Sequence, residues 1–196
     1  MSVVRNATVG AATLSVAAAL SPSAHAAYTL TFLQQGPDVV ATGGGSFDLT
    51  DLTLAVGISS RALVFPVAGT TWTGPAASTD GDVYGDSIGP GEFGSGGLTF
   101  ADSGSGDLVG IFNGGGIVVP SGYVSGALSG TATWNNATFT DLGVTPGTYV
   151  WTWGTGADAD SFTLQIGPAA IPEPASLTVL AMSLAGLGMV LRKRPA

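Results

Sequence analysis

Apolar and polar residues alternate in two stretches near the C-terminal third of the chain. Residues 161–166 read Ser-Phe-Thr-Leu-Gln-Ile, so every second side chain is apolar and shares one face. Residues 148–153 read Thr-Tyr-Val-Trp-Thr-Trp and place their aromatic side chains on one face in the same way. A period of two is that of a β-strand. Because residues 154–159 between them contain two glycines, the pattern predicts a β-hairpin.

Shorter apolar stretches separated by turn residues predict further strands. We expect them at residues 28–33, 39–42, 47–55, 62–65, 98–101, 108–112, 117–119 and 127–134. No stretch shows the 3.6-residue period of an amphipathic helix. About ten short strands in one domain predict an all-β fold, either a single β-sandwich or a jelly-roll-like domain. A solenoid is the second choice, since the chain has no exact repeat.

Glycine is concentrated in the middle of the chain. Of 31 glycines, 28 lie between residues 27 and 171, with clusters at 43–45, 94–97 and 114–116. Glycine disfavours helices and adopts positive φ without a steric penalty. The clusters therefore favour strands joined by tight turns.

The N-terminal residues have the three-part layout of a secretory signal peptide. Arg5 precedes a run of small and apolar residues, and Ser-Pro-Ser then breaks any helix. Ala24 and Ala26 form an A-x-A cleavage pattern. We therefore expect a signal peptide over residues 1–26, with a signal helix, and a mature chain that begins at Ala27.

The C-terminal residues have the character of a short membrane anchor. Residues 177–191 are 15 residues without a charge, about 22 Å of helix and close to the lower limit for a span. Arg192, Lys193 and Arg194 follow and are expected on the cytoplasmic side. The pattern predicts a single transmembrane helix with the rest of the mature chain outside the cell.

The motif before that helix adds a family resemblance. Pro172, Glu173 and Pro174, with the apolar helix and the basic cluster after them, resemble a PEP-CTERM sorting signal over residues 171–196. The resemblance implies that an exosortase, a membrane-embedded protease or transpeptidase, reads the tail in bacteria that export exopolysaccharide. Residues 142–167 are similar to a block that often precedes this tail, and that block carries no catalytic role.

The segment between the two ends, residues 27–170, is predicted to be one acidic β-domain. Over residues 27–171 the only basic residue is Arg61, against 12 acidic ones, so the formal charge is −11. Such a surface repels nucleic acid. The chain has no Cys, so its core must be held by packing alone.

Residue types needed for most catalysis are missing from this segment. It has no His, Cys or Lys, which removes Ser-His and Cys-His pairs, Schiff-base lysines and the usual zinc ligands. Glu92, in a predicted turn, is its only Glu, so a paired-carboxylate glycosidase is weakly supported. The sequence predicts neither an enzyme nor a bound cofactor.

Two local patterns resemble binding sites in part. Asp80, Asp82 and Asp86 partly match a calcium loop, but the positions of two further ligands hold Tyr84 and Gly91, so an ordinary acidic turn is preferred. Residues 154–159 match G-x-G-x-x-A, but a predicted strand follows where a dinucleotide site needs a helix.

Three functions are compatible with these features. The first is an exported structural protein of the cell surface or extracellular matrix, anchored and then processed at its tail. The second is an exopolysaccharide-binding module that uses an exposed aromatic row, for which the members would be Tyr149 and the four tryptophans, Trp72, Trp134, Trp151 and Trp153. The third is a secreted hydrolase, which the missing residue types disfavour.

Overall fold

A computed structural model describes residues 27–167, which form an all-β fold of two sheets. The all-β prediction is confirmed. The strands are β1 Ala27–Gln35, β2 Asp38–Gly45, β3 Thr53–Ser60, β4 Leu63–Phe65, β5 Thr70–Thr73, β6 Thr79–Gly85, β7 Thr99–Phe100, β8 Ser103–Gly106, β9 Val109–Phe112, β10 Gly116–Pro120, β11 Leu128–Trp134, β12 Gly147–Trp153 and β13 Asp160–Ile166. A four-residue helix, α1 Phe139–Leu142, and two short 3-10 turns, Pro66–Ala68 and Gly156–Asp158, complete the elements.

The first sheet has six strands in the order β12-β13-β1-β2-β11-β8. Its neighbours are antiparallel except for β1 and β13, which run parallel from Ala27 opposite Ser161 to Phe32 opposite Ile166. The predicted hairpin of β12 and β13 is confirmed. Because β1 and β13 are parallel neighbours, β1 begins at one end of this sheet and β13 finishes at the other.

The second sheet has seven strands in the order β3-β6-β10-β9-β5-β4-β7, and all its pairs are antiparallel. The main core lies between the two sheets, giving a sandwich-like arrangement. A second, smaller cluster lies on the other face of the seven-stranded sheet. Its buried members are Leu63, Trp72, Val83, Leu108 and Val118.

Alternation along β13 shows how the sequence pattern produces this core. Phe162, Leu164 and Ile166 are buried, whereas the polar side chains between them are half-exposed. Burying one such side chain contributes roughly 1.5–3 kcal/mol. The period of two therefore predicts strands of this kind with nearly correct bounds.

Strands without that pattern are missing from the prediction, and one is misplaced. The prediction lacks β5, β6 and β8, which are rich in Thr, Asp, Ser and Gly. The strand predicted over 47–55 is wrong in position, because β3 runs from Thr53 to Ser60. The backbone N–H of Thr50 donates to the Asp48 carboxylate at 2.9 Å, and that of Leu52 donates to the Leu49 carbonyl at 3.0 Å. These turn bonds replace strand pairing there.

Both predicted flanking helices, over residues 1–26 and 177–191, lie outside the described residues. Within residues 27–167, no helix has the length and apolar character needed to cross a membrane.

Candidate functional site

Two of the three calcium candidates are on a strand and not in the acidic turn that we predicted. Asp80 and Asp82 belong to β6, and Asp86 follows it with a positive φ of 79°. The Asp82 carboxylate accepts hydrogen bonds from the Gly122 backbone N–H at 2.8 Å and from the Ser121 hydroxyl at 3.3 Å. Asp82 thus fastens the connection after β10. In the described part of the chain, no three acidic or histidine side chains are grouped as a metal would require.

We expect calcium to leave the melting temperature unchanged. A ligand at a hundredfold excess over its dissociation constant stabilises a fold by roughly 2.7 kcal/mol, which a thermal scan detects easily. Differential scanning fluorimetry in calcium and in a chelator measures the effect, with magnesium as the control for ionic strength. A rise of several degrees in calcium alone, removed in an Asp82→Asn variant, would contradict this expectation.

The four tryptophans are in the interior. None is more than 5 % exposed. Each indole N–H donates to a backbone carbonyl, and the acceptors are Arg61 for Trp72, Thr99 for Trp134, Pro90 and Gly114 for Trp151, and Asp48 for Trp153. A buried indole that satisfies its N–H in this way is a packing residue. The tryptophans therefore do not form a solvent-exposed row.

Glu92 lies at an open pocket of about 430 Å³. The pocket is lined by Val67, Glu92, Phe93, Gly94, Ser95, Thr145 and Tyr149. Partial burial raises the pKa of Tyr149, whose hydroxyl donates to the Thr145 carbonyl at 3.0 Å. No second carboxylate is among these lining residues, all of which are described, so this pocket lacks the carboxylate pair that glycoside hydrolysis uses.

A second concavity, which we call the outer groove, lies on the outer face of the seven-stranded sheet. It has a volume of about 320 Å³ and is lined by Ile58, Ser59, Ser60, Leu63, Phe65, Thr70, Trp72, Leu98, Phe112 and Asn113. The rings of Trp72 and Phe112 are 6.1 Å apart at its base. An apolar floor with a rim of hydroxyl and amide groups is the usual composition of a small-molecule site.

Sequence reasoning missed one buried acid, Asp160. It is 5 % exposed, and its carboxylate accepts the backbone N–H of Asp48 at 2.7 Å and that of Ser161 at 2.6 Å. The hydrogen bond to Asp48 links the irregular segment before β3 to Asp160, the first residue of β13. The sequence does indicate its burial, because Asp160 is two, four and six residues before the inward-facing Phe162, Leu164 and Ile166 and so lies on the same face of the strand.

Of the predicted processing residues, only Ala27 belongs to the described part of the chain. Ala27 is the first residue of β1, and its carbonyl accepts the Ser46 N–H at 3.3 Å. The other members lie outside residues 27–167, and they are Ala24, Ala26, Pro172, Glu173, Pro174, Arg192, Lys193 and Arg194.

Comparison with models of protein families, with curated proteins and with solved structures gave no match to this chain.

Proposed function

We propose that the chain is an exported protein with a non-catalytic structural role at the cell surface or in the extracellular matrix. In this proposal a signal peptide is removed before Ala27, the helix 177–191 holds the chain in the membrane, and an exosortase-type protease or transpeptidase processes the tail at Pro172-Glu173-Pro174.

The observation that carries the proposal is that both described sheets are built from residues between the two predicted processing positions. Within the described residues, β1 pairs with β13 from Ala27 to Phe32 and with β2 from Tyr28 to Gln35. The last strand ends at Ile166, six residues before Pro172. Removing the two predicted signals would thus leave both sheets complete.

The burial of the four tryptophans supports a structural role over an aromatic sugar platform.

Replacing Glu173 with Ala tests the proposal. We expect insertion to be retained, because Glu173 adds nothing to the hydrophobic run, whereas tail processing is lost. The measurement is mass spectrometry of the protein from its native host, which also defines the mature N-terminus expected at Ala27.

The matched control changes the anchor and not the motif. Replacing Leu184 and Leu187 with Asp costs roughly 2.5–3.5 kcal/mol per charge on the insertion scale, so full-length protein should lose membrane retention. Normal processing of the Glu173→Ala variant would show that Pro-Glu-Pro is only a linker here. A mature N-terminus at Met1 or Ser2 would contradict the export proposal itself.

The outer groove favours one second candidate, an exopolysaccharide-binding module. Its apolar lining includes the partly exposed Phe112 and the exposed Leu98, and its exposed polar lining includes Asn113 and Ser59. Aromatic rings with polar groups around them suit the faces and hydroxyls of sugars. The platform in this candidate is the groove, and not the exposed aromatic row that was the alternative from the sequence.

Affinity electrophoresis in gels that contain the host exopolysaccharide tests this candidate. We expect retardation that Phe112→Ala and Asn113→Ala reduce by about tenfold in affinity, a loss of about 1.4 kcal/mol. Val150→Ala, a change on the other sheet at a 42 % exposed position, is the control. Equal mobility with and without polysaccharide rejects this role.

A further inference from the structure

One edge of the seven-stranded sheet is long and open. It is formed by β3, whose strand partner within the described residues is β6 alone. No residue of β3 makes a backbone–backbone hydrogen bond to anything other than β6 in residues 27–167. Leu54 and Val56 are 56 % and 50 % exposed. An edge of this kind presents unpaired N–H and C=O groups that a further strand can join.

The other three sheet edges are shorter than the eight residues of β3, and the longest of them, β12, is covered at one position. The edge of β12 is occupied at Thr152, which exchanges two backbone hydrogen bonds with Ile88, at 2.9 and 3.0 Å. The edge strand β8 has four residues and is flanked by Asp102 and Asp107. The edge strand β7 has two residues, and the Arg61 guanidinium covers the Phe100 ring at 4.2 Å. Short strands, charges and covering segments are the usual protection of sheet edges.

Strand β3 itself carries neither a charge nor a proline. It reads Thr-Leu-Ala-Val-Gly-Ile-Ser-Ser, and its nearest charged neighbours along the chain are Asp51 and Arg61. The segment 27–171 around it has a formal charge of −11, so two copies repel each other over most of their surfaces. At an uncharged edge a second copy meets less repulsion than over the acidic surface around it.

We infer that two copies of this chain associate through β3, which pairs antiparallel with β3 of the second copy across a two-fold axis. The two seven-stranded sheets then form one continuous sheet of 14 strands. A two-fold axis is the usual symmetry of a homodimer, and one self-complementary edge is enough to build it.

The residues of β3 define the register. A bulge between Leu54 and Val56 interrupts the first part of the strand, and regular pairing begins at Val56. With the axis at Gly57, Val56 of each copy lies opposite Ile58 of the other, on the face that carries the smaller hydrophobic cluster. Opposed β-branched side chains stabilise antiparallel strands, and this register supplies two such pairs.

The acids nearest the axis lie one strand in from the edge. They are Asp82, which pairs with Gly57, and Asp80, which pairs with Ser59. Three strand spacings of about 4.8 Å would separate the two Asp82 residues by about 14 Å, more than the Debye length of about 8 Å at physiological ionic strength. The Asp82 carboxylate bonds to Ser121 and Gly122, and its Oδ1 also lies beside Gly57.

A single introduced cysteine tests the inference in the full chain, because the chain contains no other. A Cβ added at Gly57 would meet Asp82 Oδ1 at 3.8 Å, an ordinary contact, so Gly57→Cys is tolerated. Opposed residues in antiparallel strands have Cβ atoms roughly 4.5–5.5 Å apart, within reach of a disulfide after small shifts or of a short bis-maleimide. We expect a product of twice the chain mass on non-reducing gels after mild oxidation of the purified full chain.

Gly44→Cys is the matched control, since it lies on an exposed strand face of the other sheet with no atom within 4 Å of an added Cβ. Combining Gly57→Cys with Val56→Lys should lower the dimer yield about tenfold, because two lysines then lie beside the axis. Val124→Lys, at an 84 % exposed position, should leave the yield unchanged. Equal yields from the Gly57→Cys and Gly44→Cys variants, a product of any other mass, or no effect of Val56→Lys would overturn the inference.

Discussion

Replacing Trp151 with alanine will lower the free energy of unfolding by about 3–5 kcal/mol, the range for large aromatic residues in a core. The side chain is fully buried and packs on Phe162 with ring centroids 5.6 Å apart. Its indole N–H lies 2.9 Å from the Gly114 carbonyl and 3.1 Å from the Pro90 carbonyl. Truncation would leave a cavity and also remove the donor from both carbonyls.

The position of Trp151 between the two sheets explains the large expected loss of stability. It belongs to β12, at the edge of the six-stranded sheet, whereas Gly114 lies in the turn between β9 and β10 of the other sheet. One side chain therefore joins the two sheets. Stabilities of single domains are about 5–15 kcal/mol, so the variant should lose a large fraction of its margin.

Urea unfolding followed by the fluorescence of the three remaining tryptophans measures this effect. Val150→Ala is the matched control, because Val150 is the preceding residue and is 42 % exposed. Its change should stay within about 0.5 kcal/mol. A Trp151→Ala loss well below the core range, less than about 1 kcal/mol, would mean that this contact between the sheets does not hold them together.

Replacing Gly43 with alanine will destabilise the fold by about 1–3 kcal/mol, the cost of overpacking a well-filled core. The Tyr28 ring lies over Gly43, and a Cβ there would come within 2.7 Å of Tyr28 Cζ. Tyr28 cannot easily move, because it is fully buried between Phe47, at 5.3 Å, and Phe162, at 5.9 Å.

The Tyr28 hydroxyl is buried in the core beside Gly43. It makes no hydrogen bond within the described residues, and the nearby Thr73 hydroxyl donates to the Val109 carbonyl instead. Burial raises the pKa of Tyr28 to about 12, with the Thr73 hydroxyl acting in the opposite direction and the charge of Asp107 adding to the rise. The neutral hydroxyl is therefore the form that the core holds at physiological pH.

Gly44→Ala is the matched control for Gly43→Ala. The two glycines are neighbours in β2, but an added Cβ at Gly44 meets no atom within 4 Å. We expect Gly44→Ala to be neutral or to raise stability by up to about 1 kcal/mol, because alanine has fewer unfolded conformations to lose. Tyr28→Leu should make the Gly43→Ala penalty smaller in the double variant. Equal effects at Gly43 and Gly44 would rule out Tyr28 as the cause.

The all-β class, the β12–β13 hairpin and the inward face of β13 could all be predicted from the sequence. Burial of one sheet face imposes a period of two on apolar residues, and that period is readable without any partner strand. The low content of basic residues and the absence of His, Cys and Lys from residues 27–171 could also be read from the sequence, because composition does not depend on the fold.

Contacts between distant residues control the rest, and these exist only in the folded chain. The sequence places aromatic residues at Trp72 and Trp151 but does not say whether they face water, because that depends on the neighbouring strands and the sheet opposite. Gly43 resembles a turn residue until the Tyr28 ring is seen above it. The acids at Asp80 and Asp82 resemble a loop because β6 lacks an alternating apolar face, and it becomes a strand only through pairing with β3 and β10. Which strand is left at an open edge is likewise a property of the assembled sheet, since strand order is set by pairing over long sequence distances.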